Sequence, residues 1–445
     1  MDDYLSSISS LINNLPDFEI FGKVTSIKGM ILECAGGEEI LSVGSKCNIL
    51  TRNNKKIPAE VVGFKGNYAM LMPYAELEGV GVGCKVEFLD KEPLVYPDES
   101  WLGRVIRYDG EPIDQKGILK QGSKGYSYRN TPPPAHARQR VGKKIDLGIK
   151  AINIFTSCCY GQRIGIFAGS GVGKSVLISM ITKYAQADIK VIGLIGERGR
   201  EVQEFLHEYL GEEGLKSAIV IVATGDESPL ARKQAAYLTM TVAEYFRDIG
   251  KNVLCIMDNV TRFSMAQREI GLSIGEPPSS KGYTPTVFSE LPKLLERAGP
   301  GVGDASITGL FAVLVEGDDH NEPISDAARG ILDGHIVLDR SIAERGRLPA
   351  INILRSVSRT MPGCNSEREN MLVSKAKRLL AIYNDMAEMI RLGAYRKGSD
   401  ASVDEAIYYN DKIEEFLKQA PKEAMDMETA YKTLAEILEI EDWNS

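Results

Sequence analysis

A chain of 445 residues, 43% hydrophobic and 26% charged, is too long for one small core and is expected to fold as two to four globular domains. Its formal net charge of −8 argues against wholesale coating of nucleic acid or anionic lipid, although a local basic pore lining would be invisible in that total. No apolar run approaches the roughly 20 residues that span a bilayer, and with no basic residue before Lys23 and no secretory apolar region, export of the protein itself is not expected.

Residues 4–15 place Tyr4, Leu5, Ile8, Leu11, Ile12 and Leu15 on one face at helical spacing before Pro16, which predicts a short amphipathic helix. Asp2 and Asp3 and the lack of Lys or Arg leave its own domain or a partner, rather than a membrane surface, as what that face covers. From Phe18 to Pro93 short β-rich runs, such as 22–27 and 59–64, alternate with Gly and Asn turns and predict a small barrel. Tyr96-Pro97 and Thr131-Pro132-Pro133-Pro134 mark linkers on either side of a turn at 109–114. Beyond Asp146 apolar strands alternate with helices, which predicts an open parallel sheet from strands near 163–167, 190–195, 218–223, 252–257, 306–315 and 335–338. After Gly363 the chain turns helical and charged, with Met371, Leu372, Ala376, Leu379, Leu380 and Tyr383 as a core-facing stripe. The expected organisation is an arm over 1–17, a β-barrel over 18–93, an α/β core over 94–362 and a helical domain over 363–445.

The seven cysteines, Cys34, Cys47, Cys84, Cys158, Cys159, Cys255 and Cys364, form no C-x-x-C pair and read as reduced, mostly buried residues of a cytosolic protein. The histidines at 136, 207, 320 and 335 show no ligand spacing, so no structural zinc site is expected.

The first strand runs into Ala168-Gly169-Ser170-Gly171-Val172-Gly173-Lys174-Ser175, with Val176-Leu177-Ile178 opening a helix. Glycines let successive N–H groups converge on phosphate oxygens, Lys174 supplies charge to the β- and γ-phosphates, and the Ser175 hydroxyl suits Mg²⁺. Ala168 departs from the glycine that usually opens this pattern. Asp258 ends the apolar strand 253–257, where it would serve the Mg²⁺ shell or, alternatively, cap a helix. Glu197 follows another strand and Gly196, a candidate to activate water; the competing reading pairs it with Arg198 or Arg200 in a solvated turn. Arg198 is either a γ-phosphate contact or an orienting neighbour. Arg359 lies past the last core strands, from which it would serve a neighbouring subunit's nucleotide unless it is a plain surface arginine.

Glu290-Leu291-Pro292-Lys293-Leu294-Leu295-Glu296-Arg297-Ala298-Gly299, preceded by Lys281-Gly282-Tyr283-Thr284-Pro285-Thr286-Val287-Phe288, resembles the flagellar and type III secretion export ATPases, relatives of the rotary ATP synthase catalytic subunit. The stretch from Val315-Glu316-Gly317 to Glu322-Pro323-Ile324, and Gly393-Ala394-Tyr395-Arg396-Lys397-Gly398-Ser399-Asp400, carry the same likeness, which spans essentially the whole chain. Rotary synthase subunits share the glycine loop and the Gly196-Glu197-Arg198 turn but lack these longer stretches in this form. The secretion branch is therefore favoured, and within it the flagellar system over the virulence one.

The resemblance implies an α/β RecA-like P-loop core with a parallel sheet, preceded by a small N-terminal β-barrel and followed by a C-terminal helical domain. It implies Mg²⁺-dependent ATP hydrolysis by a homohexameric cytoplasmic ring, peripheral to the bacterial inner membrane, that unfolds export substrates and releases chaperones. The implied partners are a stator-like regulator at the N-terminal arm, a coiled-coil stalk in the pore, export gate membrane proteins and chaperone–substrate complexes, with no nucleic acid. Carried over residue by residue, Gly169, Ser170, Gly171, Val172, Gly173, Lys174, Ser175 and Val176 cradle the nucleotide, and Ser175 and Asp258 serve the metal. Glu197 is the base beside Arg198, Arg359 is the finger from the neighbour, and Leu348 and Tyr395 join the nucleotide contacts. The family usually has Tyr before Pro-Ala-Ile-Asp to stack on adenine, whereas this chain has Leu348-Pro349-Ala350-Ile351-Asn352, so stacking is lost and weaker base discrimination is expected.

Three other readings remain. A catalytic subunit of an ion-translocating rotary synthase would take its finger from a distinct partner, against which Arg359 in this chain speaks. An RNA translocase should carry an aromatic, basic platform in 18–93, which shows no such cluster. An inactive scaffold subunit would be expected to lose Glu197.

Overall fold

Short strands that alternate in burial are the first structural fact of the chain. Phe21–Lys28 (β1), Ile31–Ala35 (β2), Lys46–Leu50 (β3), Lys56–Lys65 (β4), Tyr68–Pro73 (β5) and Lys85–Phe88 (β6) close on themselves in the order β1-β2-β5-β4-β3-β6. Every second side chain of β1 and β3 points inward, so Val24, Leu32, Ile49, Val61, Leu71 and Val86 fill the barrel. Register shifts at Val24/Ser26 and Val61/Gly63 bend the strands as closure requires, and closure leaves no unpaired edge.

The computed structural model describes residues 20–37, 39–89, 94–319, 321–440 and 443. The expected arm over 1–17 lies outside the described residues, as does His320. Of the described residues, those within Met1–Pro93 together with Glu269–Glu276 form one compact unit, and those within Leu94–Arg268 and Pro277–Ser445 form the other.

After the barrel the chain runs through Val105–Arg107 (β7), Lys144–Ile145 (β8), Cys158–Cys159 (β9), Arg163–Ala168 (β10), Lys174–Tyr184 (α1), Ile189–Glu197 (β11) and Gly199–Glu204 (α2). It continues through Ala218–Thr224 (β12), Pro229–Asp248 (α3), Val253–Asp258 (β13), Val260–Ser273 (α4), Pro285–Leu295 (α5), Ser306–Leu314 (β14), Gly334–Val337 (β15) and Val357–Ser358 (β16). Three helices follow, Glu367–Arg391 (α6), Ala401–Leu417 (α7) and Met427–Ile437 (α8). All six expected core strands form. They join one sheet of order β16-β15-β10-β14-β13-β11-β12-β7, parallel along this path except for β16, which runs antiparallel on the β15 edge, while Gly299–Pro300 adds a short antiparallel pairing to β14. β7 comes from the region read as linker and turn, because its three residues carry too little pattern to declare a strand.

Both faces of this sheet are covered, which is why its strands read as continuous apolar runs. Along β13, Leu254 and Ile256 face one core while Val253, Cys255 and Met257 face the other. The first core also takes Leu177, Ile178 and Ile181 of α1 together with Leu372, Ala376, Leu379, Ile413, Phe416 and Leu434 of the three C-terminal helices. These helices thus share one apolar cluster with the sheet face that carries α1. α6 begins at a capping box in which Ser366 and Glu369 exchange side-chain and backbone hydrogen bonds. The expected stripe holds for Leu372, Ala376, Leu379 and Leu380, but Met371 is 65% exposed; Val373 is buried instead, one hundred-degree step or two along the helix having been misjudged at its first turn.

The stretch ending in Arg297 has a structural role. Its guanidinium, 1% exposed, donates from Nε and Nη2 to both oxygens of Glu244 on α3 at 2.8 Å, from Nη2 to Thr241 Oγ1 at 3.0 Å and from Nη1 to the Tyr128 carbonyl at 2.7 Å. Such a pair is tolerated in an apolar core because both charges and nearly all donors are matched. Replacing Arg297 by Met leaves the Glu244 carboxylate buried without its cation, and a stability loss of about 3–5 kcal/mol is expected, read as a lower urea midpoint; an unchanged midpoint would contradict it.

Candidate active site

The glycine loop follows from where β10 stops. Ala168 is its last residue, extended and fully buried, so nothing in its conformation calls for the usual glycine. Gly171 and Gly173 have φ of 76° and 93°, conformations that side chains resist. Gly173 is the N-cap of α1 and supplies no side-chain cap. The N–H groups of that helix's first turn are therefore directed to whatever sits over the loop, an arrangement suited to phosphate.

Lys174 opens α1 and reaches across the end of β14 to two strands. Its Nζ lies 3.1 Å from Glu197 Oε1 at the end of β11 and contacts Asp258 Oδ1 at the end of β13. Asn259 Nδ2 donates to the same Glu197 oxygen at 2.7 Å. Burial opposes the charge on Lys174, but Asp258 and Glu197 hold its pKa above the ordinary lysine value. Burial likewise pushes Glu197 up, yet the Lys174 charge and hydrogen bonds from Glu201, Lys174 and Asn259 bring it below the usual carboxylate value. Asp258 is pushed up by burial, with Glu197 adding to it and Lys174 opposing. Glu201 is raised chiefly by its hydrogen bond to Glu197, the opposite direction to Glu197 itself. The environment thus favours the ionised form of Glu197 over that of its carboxyl neighbours.

A cavity of about 380 Å³ opens over this group. Gly169, Ser170, Gly171, Gly173, Lys174, Ser175, Val176, Glu197 and Arg198 line it, all expected from the sequence. Val172 is 2% exposed and anchors the loop in the apolar core, and Asp258 is buried behind Lys174. Arg198 pairs with Glu201 at 3.6 Å with its side chain largely in solvent. Leu348 stands beside the loop, its Cδ2 3.9 Å from where a β-carbon on Gly173 would lie.

Two expected residues lie elsewhere. Tyr395 occupies the turn between α6 and α7, where its hydroxyl donates to the Asp400 carbonyl at 2.9 Å and meets Asp404 Oδ1 at 3.0 Å; it does not line this cavity. Arg359 is exposed just after β16, its N–H donating to the Asp333 carbonyl at 2.9 Å and its Nη2 to the Arg329 carbonyl at 3.2 Å. Asp333 pairs with Arg163 at the start of β10, whereas the loop begins at that strand's other end. At about 3.3 Å per residue the strand holds them roughly 17 Å apart, beyond an arginine's reach.

Several cavity residues escaped the sequence reading. Asn259 follows Asp258 through a cis peptide. Arg262 lines the cavity one turn into α4, its N–H capped by Asn259 Oδ1 at 2.8 Å and its buried Nε without a hydrogen-bond partner among the described residues. Its presence explains Gly196, whose φ is 72° and where a β-carbon would fall 2.8 Å from Arg262 Cβ. A helical reading from Asp258 onward would have brought Asn259 and Arg262 to attention. Arg340, which donates to the Ser170 carbonyl at 3.0 Å, arrives from beyond β15 and has no local signal.

Residues 148–358 match the ATP synthase alpha/beta family, nucleotide-binding domain, residues 17–90 the same family's beta-barrel domain, and residues 365–436 the T3SS EscN ATPase C-terminal domain. The Flagellum-specific ATP synthase of Caulobacter vibrioides is 54% identical over 98% of this chain and 100% of its own. That of Bacillus subtilis is 44% identical over 97% and 98%. Among solved structures, the assembled ATPase EscN of the enteropathogenic E. coli type III secretion system superposes with a TM-score of 0.88 at 39% identity, covering 94% of this chain and 100% of that one. With likeness of this depth running from barrel to C-terminal helices over a complete phosphate-binding loop, the chain belongs to the flagellum-specific and type III secretion ATPases within the ATP synthase alpha/beta family.

Proposed function

We propose that this protein hydrolyses ATP at sites shared between copies of itself and spends the free energy on export of flagellar proteins. The observation that carries the reading is the buried Lys174 cation held by Glu197 and Asp258 at the mouth of a glycine loop. The first-turn N–H groups of α1 and the Lys174 ammonium bind the triphosphate, and Lys174 exchanges part of its carboxylate contact for phosphate oxygens. Glu197, ionised, takes a proton from water as the water oxygen bonds to the γ-phosphorus and the bond to the bridging oxygen breaks, releasing ADP and phosphate. Arg262, whose buried Nε has no hydrogen-bond partner among the described residues, is suited to the charge on the transferred group.

The Ser175 hydroxyl and the Asp258 carboxylate, hard oxygen donors near Lys174, fit Mg²⁺ and would hold it. When bound, that ion neutralises charge on the β- and γ-phosphates.

Arg359 cannot serve its own loop and stands exposed at a sheet edge, so the guanidinium completing each site comes from the next copy. A head-to-tail contact of this kind closes into a ring, and we read the ring as a homohexamer. The related EscN is known as an assembled ATPase and in complex with its central stalk EscO; we infer a stalk-type partner in the pore here as well. A stator-like regulator at the N-terminal arm, the export gate membrane proteins and chaperone–substrate complexes are the further partners of this reading, which puts the working ring at the cytoplasmic side of the inner membrane. Among the described residues no helix is long and apolar enough to cross a membrane. The flagellar system is favoured over a virulence one by the relatives, which are flagellum-specific.

Hydrolysis per chain should rise with protein concentration, and Arg359→Ala should lower kcat by about 10³–10⁵-fold while affinity for a fluorescent ATP analogue stays within a few fold; Glu197→Gln should do the same without the concentration signature changing. Full activity in Arg359→Ala would end the shared-site reading. Leu348, 52% exposed beside the loop, offers apolar contact without stacking; ATP and GTP are expected to turn over comparably, and a strong preference for ATP would refute that.

A further inference from the structure

Away from the nucleotide cavity, the fold brings together two cysteines that the sequence keeps far apart. Cys159 ends β9, where it pairs with Lys144 of β8. Cys364 lies in the linker that carries Arg359 and ends at Ser366, the cap of α6. The two cysteines meet around Gln162 and Thr360: Gln162 Oε1 accepts from the Cys159 N–H at 2.9 Å and from Thr360 Oγ1, Cys364 Sγ lies 3.6 Å from Asn365 Oδ1, and each thiol perturbs the other. Around them the linker is tied to the sheet: Ser358 Oγ donates to the Ser157 carbonyl at 2.8 Å, Thr360 Oγ1 to Gln162 Oε1 at 3.1 Å, and Cys364 N–H to the Thr360 carbonyl at 2.9 Å. Cys159 is buried, whereas Cys364 is only half-buried and open to a small oxidant.

We propose that Cys364 is an oxidation site for hydroperoxides with Cys159 as its resolving partner, and that the resulting disulfide locks the Arg359 linker against β9. The chemistry of the pair supports the order of events. The neighbouring Cys159 thiol, aided by Thr360 and the Lys144 charge, brings Cys364 down to about 6, which favours its thiolate at neutral pH. The Cys364 neighbour, with burial, pushes Cys159 up, and burial pushes Cys47 and Cys255 up to about 12. Cys364 sulfur attacks one oxygen of hydrogen peroxide; the O–O bond breaks, an S–O bond forms and hydroxide leaves to take up a proton. Cys159 sulfur then attacks the sulfenic sulfur; the S–S bond forms, the S–O bond breaks, and the departing hydroxide leaves as water with the Cys159 proton. Two thiols lose two electrons in all, and the peroxide is reduced to two waters. A reducing cytosol makes such a bond transient and therefore regulatory rather than structural.

The oxidation site stands by itself, while its effect on hydrolysis rests on the reading of Arg359. Both are tested on the reduced full-length protein treated with hydrogen peroxide at neutral pH. Peptide mass spectrometry without reductant should find the Cys159–Cys364 linked pair, absent in Cys364→Ser, while Cys159→Ser leaves a sulfenic acid on Cys364 that dimedone traps. ATP hydrolysis should fall about tenfold to a hundredfold on oxidation, return with dithiothreitol, and stay unchanged in peroxide-treated Cys364→Ser. Absence of both the linked peptide and the dimedone adduct overturns the oxidation site whatever the hydrolysis rate. A linked peptide with unaltered hydrolysis overturns the lock on Arg359.

Discussion

An ammonium group buried between two carboxylates governs this molecule. Lys174 leaves the first turn of α1 and is met by Glu197 from β11 and Asp258 from β13. Removing three charges from water is tolerated only where each finds its partner, so the spacing of three strand ends is held to within hydrogen-bond distance. That requirement reaches outward. Gly196 must be glycine because Arg262 passes where its β-carbon would be, and Gly171 and Gly173 must adopt positive φ for the loop to turn into α1. Glu201, beside Glu197, is shifted up while Glu197 is shifted down.

A parallel sheet has two unlike ends, and the division of labour follows. The carboxyl ends of β10, β11 and β13 converge on the cavity, where loops and helix N-termini supply donors. β16 runs the other way on the β15 edge and delivers Arg359 at the amino-terminal end. A chain built so keeps that arginine away from its own glycine loop, and on the function proposed above it would serve the loop of a further copy. Cys364 sits in the same linker, so the place where redox chemistry can act is also the place where one copy would serve another.

Rigidity around this arrangement comes from burial on both sheet faces. One core unites α1 with the three C-terminal helices; the other contains the Arg297–Glu244 pair, which clamps α5 to α3. Arg297, at the end of the stretch 290–299, is thus a clamp inside the core rather than part of the chemistry.

What the sequence determined by itself was local. Glycine spacing, an adjoining Lys-Ser and apolar runs ending in Glu197 and Asp258 announce a phosphate loop and its acids, because each depends on neighbours a few residues away; the same holds for the barrel's alternation and the six core strands. Only the tertiary structure decided which distant groups meet. The fold brought Arg262 and Glu201 to the cavity and Arg340 to the glycine loop, kept Tyr395 in a turn of its own, turned Met371 outward, put Arg359 at the far end of β10 and set Cys159 near Cys364. Pairing across a sheet is set by long-range burial of apolar faces, and a linear pattern carries no record of which strands become neighbours.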